Sequence, residues 1–459
     1  MADYRIEKDS FGELKVPQDA LYQAQTQRAL NNFQFSDLTL PQAFIHSLAL
    51  IKSAAAQANA ELGYLDEQKK IAIVDATEQI LTDQYQDAFP VDVFQTGSGT
   101  STNMNMNEVI ATLALQRQNI KLHPNDDVNF SQSSNDVIPS SIHLSAHTQV
   151  IHKLLPALTA LIQVIEQKSD RVGAQVKTGR THLMDAMPVT FAQSLSSWSR
   201  QIAHAKVQIS HAVEHIRPLA QGGTAVGTGV NADKQFSTCF IRYLNQLSGL
   251  SCKVSDNPFF HIATQDAIVA LSGQLKTLAV AQMKIANDLR WMNSGPLAGI
   301  SEIQLKPLQP GSSIMPGKVN PVIPEAVAMI AAQVIGNDAT IAIAGQSGNF
   351  ELNVMLPVIA YNILQSIMLL ANASHALAEA IADFSVNKAS IDIALNKNPI
   401  LVTALNPIIG YNKAATIAKK AYASGKPILT VALEETDLSE EELIELLDPR
   451  QLTQGGIQQ

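Results

Sequence analysis

The chain has 459 residues and a formal net charge of −9, a length that fits two to four domains. Charged residues make up 16%, below the roughly 25% of ordinary soluble domains, and no Lys/Arg-rich run is present, which excludes a nucleic-acid footprint. Ala, Leu and Ile supply most of the apolar content and aromatics only 5%, which predicts closely packed helices and extra surface buried between subunits.

The opening MADYRIEKDS is charged and has no apolar core, so no secretory signal is expected and the protein reads as cytoplasmic. Short strands are expected near the N-terminus and in GGTAVGTGV (Gly222–Val230), with few elsewhere. Four polar stretches read as loops between helices: Thr96–Val109 (TGSGTSTNMNMNEV), His123–Asp136 (HPNDDVNFSQSSND), Gly179–Val189 (GRTHLMDAMPV) and Gly311–Pro321 (GSSIMPGKVNP). Leu154–Val172 carries apolar residues at three- and four-residue spacing and predicts a helix. Cys239 and Cys252 stand apart with no CxxC and no paired His cluster, so they read as reduced buried thiols rather than zinc or iron–sulfur ligands. Thr264–Met292 has no proline and one glycine; its length predicts a long bundle rather than an α/β layer. Ala339–Ala378 has Glu351 as its only Asp, Glu, Lys or Arg, but Asn349, Asn353, Pro357, Asn362, Gln365 and Asn372 interrupt it, so it reads as a buried bundle helix and not a membrane span. Near the end, Ser439 and Glu442 have capping-box spacing. The chain is thus mainly α, with an N-terminal mixed domain (1–131), a central long-helix bundle (132–388) and a small C-terminal helical domain (389–459).

The polar stretches offer mostly neutral donors, Ser, Thr and Asn, with few cations. That inventory suits a small carboxylate-bearing ligand, on which hydroxyls, amides and backbone N–H groups can converge. Gly311–Val319 is not a phosphate-binding P-loop: five residues separate Gly311 from Gly317, and Val319 follows Lys318 where a metal-binding hydroxyl is required. GGTAVGTG lacks the G-x-G-x-x-G spacing of a dinucleotide fold. Each residue also has a structural reading. His182, with Arg180, Thr181 and Asp185, fits a helix cap; His123 fits a turn; Ser312 and Ser313 fit an N-cap pair; and Glu325 fits the positive end of a helix dipole. Taken singly, these residues indicate a helical enzyme for an anionic substrate.

Taken together, they resemble a known family. GSSIMPGKVNP is similar to the signature loop of the fumarase/aspartase superfamily. AQTQRAL, QTGSGT, NMNMNEV, HPNDDVN, SQSSND, GRTHL, GGTAVGTG, MKIANDLRW, QVIGND, GNFELNV and LVTALNPIIGYNKAA resemble its other blocks, in order and over nearly the whole chain. Gly317, His123 and GNFELNV look like class II fumarase rather than aspartase. The resemblance implies a homotetramer whose central helices form a 20-helix core, with active sites shared between subunits. It implies reversible hydration of fumarate to L-malate without metal or organic cofactor. By the same resemblance, the catalytic residues are Ser312 as base, His182 acting on the departing hydroxyl, and Glu325 orienting His182. Thr100, Ser133, Ser134, Asn135, Lys318 and Asn320 hold the carboxylates, and Ser98, Gly99, Thr181, Ser313 and Val319 complete the pocket. The family's second dicarboxylate site falls on His123, Pro124, Asn125 and Asp126. Ile120 stands where relatives have an arginine, which implies at most a weak second site, and Met184 replaces a glutamine common in relatives.

Overall fold

The structure is a computed structural model that describes residues 3–457. It is mostly helical. The expected N-terminal strands are present: β1 (Tyr4–Asp9) pairs antiparallel with β2 (Gly12–Pro17). The other expected strand, Gly222–Val230, is a run of turns. Gly222, Thr224, Gly227 and Gly229 all have positive φ (96°, 54°, 113° and 71°), which no pleated strand accommodates.

The helices that frame the polar segments are α1 (Gln42–Glu61), α2 (Thr100–Gln118), α3 (Ser134–Gln149), α4 (Leu155–Val172), α5 (Phe191–Ile216), α6 (Asp266–Met292), α7 (Val322–Gly345) and α8 (Leu356–Asp383). The predicted long helices are α4 and α6, each within two residues of its expected start. Thr96–Val109 is not a loop throughout: it is irregular only to Gly99, and α2 begins at Thr100. The asparagines that make it look loop-like are buried amides. Asn105 Nδ2 donates to Ala88 O at 2.9 Å, and Asn103 and Asn107 donate to Asn129. Tertiary partners take up the amide N–H groups, so their polarity does not break the helix, although Oδ1 of all three is buried without a hydrogen-bond partner among the described residues.

Gly179–Val189 is mostly hairpin rather than loop, formed by β3 (Val176–Thr181) and β4 (Met184–Thr190). Ala339–Ala378 holds parts of two helices rather than one. α7 stops at Gly345, Gly348–Asn349 pairs with Leu352–Asn353, and α8 starts at Leu356. Asn353 Nδ2 donates to Ala344 O at 2.9 Å and to Gly345 O at 3.2 Å, satisfying carbonyls that the end of α7 leaves open.

The chain divides into two compact units. One comprises Met1–Pro156, Ala205–Ala279 and Ala332–Ala371. Phe44, Leu48 and Ile51 of α1, Val109 and Ile110 of α2, and Ile138 and Ile142 of α3 are buried there, each worth about 1.5–3 kcal/mol of apolar burial. The other unit comprises Ala157–His204, Val280–Ala331 and Asn372–Gln459. There Trp198 of α5 is buried, and its Nε1 donates to Asp288 Oδ2 at 3.1 Å. The last segment of this unit has its own apolar cluster, including Leu401, Leu405, Ile417 and Leu443. The capping box at Ser439 and Glu442 is formed. Cys239 and Cys252 are buried free thiols, and burial pushes Cys252 up to about 12.

Candidate active site

The candidate residues fall into three sets. The first is the signature loop, Gly311–Pro321. It closes on itself: Gly311 N donates to Lys318 O at 2.7 Å, and Asn320 Nδ2 donates to Gly311 O at 2.9 Å. A Cβ on Gly311 would lie 2.5 Å from that Lys318 oxygen, so only glycine permits the closure. Within the loop, Ser312 Oγ accepts backbone N–H bonds from Ile314 (3.2 Å) and Met315 (3.1 Å). Two N–H dipoles aimed at one hydroxyl oxygen favour negative charge on it. Ser313, Lys318 and Val319 are exposed, while Ser312 and Asn320 are half-buried. A cavity of about 940 Å³ is lined by Arg290, Trp291, Lys318, Val319, Asn320 and Glu325, among others. Ser312 and Ser313 are outside its lining. Glu325 lies in the first turn of α7 and is half-buried.

The second set is the tip of the β3–β4 hairpin. Thr181 pairs with Met184, leaving His182 and Leu183 as a two-residue turn. Both have positive φ (56° and 62°), the geometry of a type I′ hairpin turn. Thr181 and His182 are exposed. The base of the hairpin is anchored by the buried Glu302, which receives Lys177 Nζ at 3.1 Å and Arg180 Nη1 at 2.6 Å. Among the described residues of the chain, the side chains of His182, Lys318 and Glu325 have no hydrogen-bonded or ion-paired partner.

The third set surrounds the N-terminus of α3. Ser133 is the N-cap: its Oγ accepts Asn135 N at 3.2 Å, and its N–H donates to Asp136 Oδ1 at 2.9 Å. Asp136 Oδ2 also accepts Gly222 N and Thr224 N, both at 2.9 Å. Asn135 Nδ2 donates to Ala225 O at 2.8 Å. The turns of the GGTAVGTGV segment are thereby tied to the start of α3. Thr100, Ser133, Ser134 and Asn135 line one cavity of about 500 Å³, with Asn103 and Asn129. Ser98 Oγ lies 2.9 Å from Thr100 Oγ1, and Gly99 (φ 72°) is the N-cap of α2.

Sequence reading missed several groups behind this cavity. Lys52 of α1 is fully buried; its Nζ donates to Asn129 Oδ1 at 2.9 Å and to Gln132 Oε1 at 3.0 Å. Burial pushes Lys52 down to about 7, opposed by the charge of Asp136. Burial also pushes Asp136 up to about 6, opposed by its three N–H donors and by Lys52. The signals were a lone cation in the apolar run of α1 and three asparagines at alternate positions in α2.

The second-site residues are held locally. His123 Nδ1 accepts Asp126 N at 3.1 Å and lies 3.2 Å from Asp126 Oδ2. Pro124 opens the short helical turn that follows, and Asn125 reaches the lining of the α3 cavity.

A family profile described as Lyase matches residues 12–336, and one described as Fumarase C C-terminus matches residues 401–454. The chain is 61% identical to "Fumarate hydratase class II 2" of Pseudomonas aeruginosa, over all of both chains. It is 55% identical to "Fumarate hydratase class II" of Xylella fastidiosa, over 99% of this chain and 96% of that one. A crystal structure of recombinant class II fumarase from Schistosoma mansoni superposes with a TM-score of 0.94 at 37% identity, covering 98% of this chain and 99% of that one.

Proposed function

Because the chain belongs to the class II fumarate hydratase family, we infer that it adds water to the double bond of fumarate to give L-malate and catalyses the reverse dehydration. The end-to-end likeness carries this reading. The protein works in the cytoplasm, where its thiols stay reduced.

Starting from malate, Ser312 removes a proton from the carbon beside one carboxylate. The two N–H groups on its Oγ support the alkoxide that a serine needs to act as a base. Proton loss leaves extra negative charge on that carboxylate. Lys318 and Asn320, with Thr100, Ser133, Ser134 and Asn135, hold the two carboxylates and bind more strongly as this charge develops. His182, acting through water, protonates the C2 hydroxyl as it leaves, so the products are fumarate and water. Glu325 orients the His182 ring. Ser98, Gly99, Thr181, Ser313 and Val319 complete the pocket.

The working unit is a homotetramer, and each site draws its residues from several copies. Two observations support this. The side chains of His182, Lys318 and Glu325 find no polar partner among the described residues of their own chain. The most apolar 18-residue window of α7 is also only 28% buried, with Met329, Ile335 and Ile343 exposed. An apolar helix left so open requires cover.

Ultraviolet absorbance of the purified protein with L-malate, run beside L-aspartate in the presence of a chelator, tests the activity. The conjugated double bond of fumarate raises absorbance with malate alone. A rise with aspartate alone would replace this reading with an ammonia-lyase.

A further inference from the structure

The cavity at the start of α3 has a built-in direction to its hydrogen bonds, and that direction begins at Lys52. Charged or neutral, its amino group has hydrogens to donate to Gln132 Oε1 at 3.0 Å and to Asn129 Oδ1 at 2.9 Å, which is therefore an acceptor. The other end of the same amide is fixed independently, because Asn129 Nδ2 donates to the backbone carbonyl of Gln132 at 3.2 Å. Asn129 Oδ1 also faces the Asn103 amide at 3.1 Å, so the Asn103 atom there must be the donor Nδ2. That nitrogen has a second hydrogen, and it lies 3.0 Å from Ser134 Oγ. Ser134 Oγ is therefore an acceptor toward Asn103. Its own hydroxyl hydrogen has no acceptor among the described residues, and Ser134 lines the cavity.

We propose that Asn103, oriented by Lys52 through Asn129, is a positioning residue that keeps the Ser134 hydroxyl pointed at the substrate carboxylate as a donor. A hydroxyl can rotate to offer either its hydrogen or a lone pair. A carboxylate binds only the first of these. Asn103 is 1% exposed and Lys52 0%, so no solvent competes for the bonds that set the choice. The burial of Lys52 thus acts at a distance of two amides, without the lysine touching substrate. Asn107 Nδ2, at 3.2 Å from Asn129 Oδ1, adds a third donor to the same oxygen and holds it as an acceptor.

The inference rests on the reading of Ser134 as a carboxylate-binding residue, and the test separates the two. The test compares steady-state kinetics with L-malate for Asn103→Asp, Asn103→Ala and Ser134→Ala, and for each Asn103 change combined with Ser134→Ala. Asn103→Asp is nearly isosteric but captures the Ser134 hydrogen, so KM rises about tenfold while kcat changes less. Asn103→Ala frees the hydroxyl without capturing it and raises KM by a smaller factor. In the Ser134→Ala background both Asn103 changes lose most of their effect, to within about twofold. If each Asn103 change multiplies KM by the same factor with and without the Ser134 hydroxyl, Asn103 does not act through Ser134 and the proposal is overturned. If Ser134→Ala leaves KM unchanged, the proposal falls together with the assignment of Ser134. If Asn103→Asp does not fold, the Asn103→Ala pair decides by the same comparison.

Discussion

The start of α3 and the signature loop are both built from Ser, Asn and Gly, yet they are held in opposite ways. The α3 cavity is wired from behind: Asp136, Asn103, Asn129 and Lys52 are buried or half-buried, and each fixes a neighbour. The loop from Gly311 to Pro321 is closed only by bonds within itself, with Ile314 83% and Met315 48% exposed. A wired pocket holds its donors ready and resists change. A self-closed loop keeps its shape cheaply and leaves its side chains free to meet a ligand. Substitutions in the loop are thus expected to change chemistry and spare the fold, whereas substitutions behind α3 cost stability or substrate affinity rather than turnover.

The largest expected effect lies in the loop. Ser312→Ala lowers kcat by about three orders of magnitude or more, with an unchanged thermal midpoint. Near-normal turnover in that variant would remove Ser312 as the base. His182→Asn also cripples kcat; a change confined to KM would make His182 a binding residue only. Behind α3, Asp136→Ala strands one buried and two half-buried N–H groups and loses about 3 kcal/mol of stability, read as a lower urea midpoint. An unchanged midpoint would show that the wiring is ornamental.

Acid sensitivity also belongs to the wired unit. Burial first, then the neighbouring His261, pushes His143 down to about 4; burial and then Arg217 push His147 to about 4. The fold favours the neutral rings, so their contribution is full above the ordinary histidine value and is lost as pH falls toward 4. For the fully buried His143 this amounts to about 3 kcal/mol. Asp136, raised to about 6, works against it, because the folded state takes up that proton more readily than the unfolded chain. Glu108, also raised by burial, acts in the same sense as Asp136, and the two histidines are expected to outweigh these carboxyls, so the urea midpoint falls between pH 6 and 4.5. His143→Gln should flatten that slope, and an unchanged slope would reassign the acid sensitivity to other groups. The smallest effect is expected at His123, which is exposed and tied to Asp126. His123→Ala leaves kcat and KM with malate within about twofold, and a larger change would restore a working second site.

The helices were legible because their apolar spacing is long and uninterrupted, as in α4 and α6. The signature loop was legible because its residues are contiguous. The wiring behind α3 was not, because Lys52, Asn103, Asn129 and Asp136 come from separate segments and meet only in the fold. Asn103, Asn105 and Asn107 misled in a specific way. Composition reads three asparagines as a loop, whereas burial makes them helix residues with distant partners. Gly222–Val230 misled in the other direction, since a short strand was expected there and the left-handed residues forbid one.

The two-residue turn at His182 and Leu183 has an evolutionary consequence. A turn with both residues in the left-handed region is most comfortable with Asn, Asp or Gly. An imidazole there is held against the preference of its own backbone, at a cost of about 1 kcal/mol or more. His182→Asn or His182→Gly therefore relaxes the hairpin while it removes the ring. On the role proposed for His182, selection for foldedness alone would carry position 182 toward a more stable and inert protein, and selection on turnover would keep a histidine at that tip.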